Sequence, residues 1–479
     1  MSSPALRPLL PAARRLARTV AGIVVVGGVA AAGAQAAPAV TLTGGTGPAP
    51  VRLCGATHTA RTVPAGGALA LHVSAARLDR VRTSRRGSTV VVDRCQDGRW
   101  TALRTVTLGA RRTPLTTDLT GAGGPAADLR VRTRSRSGRF GRAAFARVGV
   151  GEIVDVPVSF GVVNRNRTPL PCPPGTPDGR PYTVHGTLVA PRAVLDAPKP
   201  AVTLYLHGLG YTGELFFRYQ GVPGYDYGLQ QAQAGHASVV IDRLGNPSHD
   251  DLPDGNATCL PAQADMADQV IKALRKGSFT VPGTPRAFDR VLLAGHSAGG
   301  LITEITQYAF SSADAIAVIA YNDVPSPLAL AQFATAGGDC LTAPQRAHGT
   351  TGSPNYAPFG RTDADFTAAH FHDIDPAVAK DVLARRTRDP CGDLLSALQG
   401  LIGNELLSHT ISAPVLIVSG ADDALFTPPT NKLAAATAYP ASSQVTLDEL
   451  PDTGHAVTLG RTHDAFRSAM DRWLSAHGG

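Results

Sequence analysis

The chain has 479 residues, of which 43% are hydrophobic and 17% charged, with a formal net charge of +8. That length accommodates two or three domains, and the balance is that of a folded soluble protein. Beyond residue 33 no stretch is long and apolar enough to cross a bilayer, which excludes a membrane-embedded bundle.

The first 36 residues read as an export signal. Arg7, Arg14, Arg15 and Arg18 form a basic start, an apolar run extends from Val20 to Gly33, and Ala34-Gln35-Ala36 fits a small-residue cleavage site. The mature chain is expected to begin near Ala37, secreted and with no stable membrane span. In an oxidising compartment the six cysteines imply disulfides. Pairing within modules is expected: Cys54 with Cys95, Cys172 with Cys259 and Cys340 with Cys391.

Residues 37–150 hold 19 Arg and 5 Asp, a charge of +14, whereas residues 151–479 carry −10. The opposite signs argue for two units. The first contains short alternating segments with turn residues between them: 68–73, 88–93, 101–107, 128–133 and 143–148. In Leu129-Arg130-Val131-Arg132 the apolar residues point inward and the arginines outward. This predicts a β-sandwich-like domain of immunoglobulin type. Its arginines could attract an anionic cell-wall polymer, or form a solvated basic face that docks onto the acidic unit. Aromatics are sparse among them, so no nucleic acid is expected as a partner.

From about residue 155 the pattern changes. Segments 156–163 and 182–189 read as opening antiparallel strands. Strands at 201–206, 237–242, 290–294 and 315–320 then alternate with helices at 227–234, 263–276 and 301–308. Such alternation predicts a mainly parallel sheet with helices on both faces, whose ligands bind beyond the carboxyl ends of the strands.

Chemistry-bearing motifs fall at those ends. His207-Gly208-Leu209-Gly210 follows the strand at 201–206. Gly295-His296-Ser297-Ala298-Gly299 lies between a strand and a helix. A serine held between glycines at such a turn is a G-x-S-x-G nucleophile elbow. Gly295 and Gly299 let strand and helix approach closely, and the strained turn lifts the hydroxyl above the sheet edge. His296 reads as a packing or hydrogen-bonding residue. Strand 414–418 leads to Asp422 and Asp423, and strand 444–450 leads to Thr453-Gly454-His455.

With these motifs the chain resembles the α/β-hydrolase superfamily over roughly residues 155–479. The resemblance implies an α/β-hydrolase fold and a Ser…Asp…His order of catalytic groups. It assigns Ser297 as nucleophile, His455 as general base and Asp423 as the orienting acid, with Asp422 as competitor. It also implies an oxyanion hole from the Leu209 and Ala298 amides, with Gly208 leaving room. A serine hydroxyl needs a base to attack a carbonyl carbon, and an acyl-enzyme follows. No metal and no organic cofactor are needed.

The domains expected are therefore a signal at 1–36, a basic β-domain at 37–150 and a catalytic domain at 151–479. Some ninety residues, about 322–412, interrupt the strand–helix alternation and read as a cap or lid, with helices at 377–384 and 394–407. Carboxylic ester hydrolysis is the leading expectation, on a small-molecule, lipid or polymer ester. A peptidase or amidase of the same fold is the alternative, and a non-catalytic binding protein on this scaffold stays open. Tyr211, Phe216, Phe217 and Tyr219 are either acyl-pocket walls or core packing. His370-Phe371-His372-Asp373 reads as a polar loop rather than a metal site, and His249-Asp250-Asp251 as a solvated loop.

Overall fold

The computed structural model describes residues 39–43, 46–63, 70–74, 89–96, 99–107, 127–135, 138–149, 152–172, 175–246, 252–428 and 430–478. The leader and His249-Asp250-Asp251 lie outside these residues.

The amino-terminal strands are β1 (Ala39–Thr43), β2 (Thr46–Leu53), β3 (Ala56–Val63), β4 (Ala70–Ser74), β5 (Thr89–Gln96), β6 (Arg99–Thr107), β7 (Ala127–Arg134) and β8 (Ala144–Val148). Six of them form a sheet in the order β2-β3-β8-β7-β5-β6, and β1 pairs with β4. β1 lies against β7 and β8, so the region has two layers, as a sandwich requires. Leu129 and Val131 are buried while Arg130 and Arg132 turn outward, where both pair with Asp93 at 2.8 and 3.0 Å. Three strands, β1 to β3, lie where the sequence suggested none. β1 alternates over only five residues, β2 holds a Gly and two Pro, and β3 is mostly Thr, Ala, His and Arg, so none carries a long apolar alternation.

Next come β9 (Ile153–Val163), β10 (Pro181–Pro191), α1 (Arg192–Leu195), β11 (Ala201–Leu206), α2 (Gly213–Phe217), α3 (Tyr227–Ala234), β12 (Ser238–Ile241), α4 (Leu260–Lys276), β13 (Arg290–His296), α5 (Ala298–Phe310) and β14 (Ile316–Ile319). An inserted segment follows, with α6 (Pro327–Thr342), β15 (Tyr356–Ala357), α7 (Asp363–His370), α8 (Pro376–Arg385), β16 (Asp389–Pro390), α9 (Cys391–Leu395) and α10 (Ala397–Leu407). The chain returns through β17 (Val415–Gly420), α11 (Thr430–Thr437), β18 (Val445–Leu450) and α12 (His463–His477).

The large sheet runs β18-β17-β14-β13-β11-β12-β10-β9. It is parallel from β18 to β12, and β10 and β9 join it antiparallel. Alternate residues of β11 face opposite cores: Leu204 and Leu206 one way, Tyr205 the other. With both faces covered, the central strands are buried throughout, which explains their continuous apolar runs. Helix α4 starts at a proline and ends on Gly277 in the left-handed region, φ 64°.

All three expected cysteine pairs are within bonding distance, with Cα–Cα separations of 5.5, 5.7 and 5.5 Å. The single helix expected over 394–407 is broken at Ser396, whose hydroxyl accepts from the Leu260 amide and donates to the Asp393 carbonyl. Among the described residues no helix is long and apolar enough to cross a membrane.

Candidate active site

Two neighbouring pairs of parallel strands, β11 with β13 and β17 with β18, separated by β14, end at the same rim. His207 follows β11, Ser297 follows β13, Asp423 follows β17 and His455 follows β18.

Ser297 occupies a backbone conformation that side chains rarely adopt, φ 54° and ψ −119°. Its amide donates to the Ile319 carbonyl at 2.8 Å, and its carbonyl accepts from Gly300 and Leu301 as α5 begins. The neighbouring glycines are sterically required. A Cβ on Gly295 would lie 2.0 Å from the Gly299 carbonyl oxygen, and one on Gly299 would lie 2.3 Å from that of Leu206. A Cβ on Gly208 would lie 2.9 Å from the Ser297 Cβ, so the 207–210 loop sits directly beside the serine. Among the described residues no group accepts from the backbone amides of Leu209 or Ala298.

His455 Nδ1 meets Asp423 Oδ2 at 2.9 Å, with both side chains fully buried. The other carboxylate oxygen, Oδ1, accepts from the Leu425 and Phe426 amides at 2.8 and 3.1 Å. A carboxylate only accepts, so Nδ1 carries the proton and Nε2 is a bare acceptor. That Nε2 is buried with no hydrogen-bond partner among the described residues, Ser297 Oγ included.

The elbow is nonetheless tied to this imidazole through its neighbour. His296 Nε2 donates to the His455 carbonyl at 3.0 Å, and the two rings lie 4.7 Å apart. His296 is therefore neutral, with a bare Nδ1. Burial, and then the proximity of His455, holds it well below the ordinary histidine range.

The competing acid sits elsewhere. Asp422 is exposed and lies 3.7 Å from His372 Nε2. With Asp452 these two bring ligand-type atoms within 4.8 Å of one another. All three are exposed and none is a buried, unpartnered donor, so the cluster assigns no metal.

A family model described as "Alpha/beta hydrolase family" matches residues 203–469, more than half of the chain. The chain belongs to the alpha/beta hydrolase family. No match to a curated protein reaches significance. Solved structures similar to this hydrolase-family chain include a thermophilic esterase from Thermogutta terrifontis, at 15% identity and TM-score 0.43, over 67% of this chain and 100% of that one. A hydrolase from Pseudomonas aeruginosa matches at 18% identity and TM-score 0.45, over 65% and 99%. The carboxylesterase CesB from Bacillus subtilis matches at 12% identity and TM-score 0.41, over 67% and 92%. At this level the likenesses say nothing about activity.

In this alpha/beta hydrolase the 207–210 loop is braced by residues the sequence did not single out. His207 Nε2 accepts from the Arg243 amide at 3.1 Å, so Nδ1 carries the proton and donates to the Gly208 carbonyl at 2.8 Å. In a trans peptide the C=O and the following N–H point opposite ways. Fixing the Gly208 carbonyl thus fixes the direction of the Leu209 amide.

Behind the loop, buried Arg243 donates to the His207 carbonyl and to Asp393. Asp389 accepts from the Gly210 amide at 2.8 Å. Burial pushes the Asp389 carboxyl up to about 7, against the pull of Arg243. Burial raises Asp393 as well. Both acids belong to the inserted segment and flank Cys391. Only their i, i+4 spacing around a cysteine marked them in the sequence.

The aromatic residues after the loop divide. Phe216 stacks on His296, with centroids 3.8 Å apart, and Tyr211 bonds His370. Phe217 packs on Tyr205 in the core, and Tyr219 packs edge-on to Tyr225. A cavity of about 690 Å³ is lined by Thr212, His348, Arg361, Arg386 and Arg388, and includes neither Ser297 nor His455. Three of its arginines are already engaged, Arg361 with Asp339, Arg386 with Asp363 and Arg385 with Glu214 and Asp381.

Proposed function

We propose that the chain is a secreted serine hydrolase that cleaves carboxylic esters through Ser297, His455 and Asp423. The observation that carries this reading is the buried His455–Asp423 contact, which leaves Nε2 as the only basic edge of the ring, at the same sheet rim as a serine on a strained elbow. The serine attacks the scissile carbonyl as His455 Nε2 takes its proton. Asp423 holds the tautomer and stabilises the imidazolium, and it is itself held by two backbone amides.

Negative charge on the former carbonyl oxygen meets the Leu209 and Ala298 amides. Each such donor is worth about 3–4 kcal/mol in a preorganised site. His455 returns the proton to the leaving alcohol, then activates a water that releases the acid. The inserted segment excludes bulk water, consistent with the burial of both Ser297 and His455.

A fluorophosphonate probe tests the nucleophile. Labelling of the wild type but not of Ser297→Ala is expected, and equal labelling of both overturns the reading. A panel of p-nitrophenyl esters beside aminoacyl anilides tests the reaction. Ester turnover is expected, and strong anilide turnover without it would make the enzyme an amidase.

A further inference from the structure

Around the proposed catalytic histidine, three imidazole nitrogens are buried without a partner among the described residues: His296 Nδ1, His370 Nε2 and His455 Nε2. The protons of two of these rings are fixed by bonds to other groups. His296 donates from Nε2 and His455 from Nδ1, so each presents a bare acceptor nitrogen. His370 differs.

His370 ends α7 in the inserted segment, is 1% exposed, and stacks on Phe366 at 4.0 Å. Its ring lies edge-to-face with His455, centroids 5.0 Å apart, and its carbonyl accepts from the Ala456 amide at 3.0 Å. Its Nδ1 lies 3.0 Å from the Tyr211 hydroxyl. Burial raises the Tyr211 phenol well above its ordinary value and lowers His370 well below its own, so both are neutral.

One hydrogen must lie between them. If Nδ1 donated, the phenol proton and Nε2 would both be left unmatched in the interior. If the phenol donates to Nδ1, one orphan remains, an Nε2–H. The second arrangement leaves fewer unmet groups and is the one a buried pair adopts. His370 therefore presents a hydrogen-bond donor in the same buried cluster as the bare acceptors of His296 and His455.

We propose that His370 selects the substrate, its Nε2–H donating to a second oxygen of the ester, an ether, hydroxyl or carbonyl oxygen close to the scissile carbonyl. The preferred class is esters of hydroxy acids or of polyols rather than simple alkyl esters. This inference rests on the Ser297–His455 reading above.

The test uses near-isosteric pairs in which one methylene becomes oxygen. The acyl arm compares p-nitrophenyl methoxyacetate with butyrate, and the alcohol arm compares 2-methoxyethyl with butyl acetate. Each ratio of kcat/KM is divided by the ratio of alkaline hydrolysis rates. The wild type is expected to favour the oxygen-bearing member about tenfold in one arm, the effect of one neutral hydrogen bond. His370→Phe should abolish that preference, and His370→Asn should restore part of it.

Tyr211→Phe is the second variant. Without the phenol the tautomer is no longer fixed, and the preference should shrink with His370 still in place. Fluorophosphonate labelling rates report on Ser297 and His455 separately. Labelling retained with both members of each pair slowed equally, or a wild type with no preference in either arm, overturns the selection role alone. A wild type that fails to label removes the triad reading and this inference with it.

Discussion

Asp389→Asn should change how stability depends on pH. Asp389 is fully buried, and its carboxyl is pushed up to about 7 by burial and by neighbouring Asp393, while Arg243 and the Gly210 amide pull it down. In the unfolded chain an aspartate titrates near 3.9. Between those values the folded protein keeps a proton that the unfolded chain has released. Stability from this group is thus complete below about pH 4 and lost as pH rises toward 7. A shift of about three units corresponds to an upper bound of ~4 kcal/mol. Asparagine cannot ionise, and its carbonyl oxygen can still accept from the Gly210 amide, 2.8 Å away in the wild type. Urea titrations at pH 4.5, 6, 7 and 8 would give the difference between the two curves. The variant should exceed the wild type by only about 1 kcal/mol near pH 4.5 and by a few kcal/mol at pH 8. Parallel curves, or a variant less stable at pH 8, would refute the argument. Asp393 loses a like-charged neighbour in the variant, so any secondary effect has the same sign.

Asp423→Asn should lower kcat by about four orders of magnitude, because an amide nitrogen facing Nδ1 favours the wrong tautomer. Asp422→Asn should change kcat less than twofold, since its carboxylate faces the exposed His372 rather than His455; the two variants need only one ester and a stopped or continuous assay. Gly208→Ala places a Cβ 2.9 Å from the Ser297 Cβ. It should fold, by circular dichroism, yet lose about a hundredfold in kcat/KM as the Leu209 amide is displaced. Replacing Cys340 and Cys391 by alanine opens a loop of sequence separation 51. It should cost about 4 kcal/mol in the chain-entropy limit, read as a lowered Tm.

Much of the fold could be read from the residues because the parallel strands are buried on both faces. Runs such as Ala201–Leu206 and Val415–Gly420 therefore carry uninterrupted apolar signals. The elbow was legible for a steric reason: only glycine fits at 295 and 299, so the motif survives as letters. Asp423 could be preferred over Asp422 only through resemblance, since which of two adjacent carboxylates faces a histidine depends on loop geometry. The His370–Tyr211 bond joins residues 159 apart and left no local pattern. Nor did Arg243, whose partner Asp393 is 150 residues away. A lone arginine after a strand looks like surface until the tertiary fold buries it. Strands β1 to β3 carry a weaker signal: β2 holds a Gly and two Pro, and β1 and β3 are short or polar, so pairing across the sheet rather than an apolar run defines them.

The wall behind the 207–210 loop is built by Asp389 and Asp393, on either side of a disulfide-linked cysteine in the inserted segment. Attempts to re-engineer this protein by transplanting a different insertion, or by trimming it to widen access, would therefore strip the scaffolding from the Leu209 amide proposed to receive the developing charge. A chimera that keeps residues 389–393 and their cystine while exchanging α7 and α8 would preserve that scaffolding, and is the graft with which to begin.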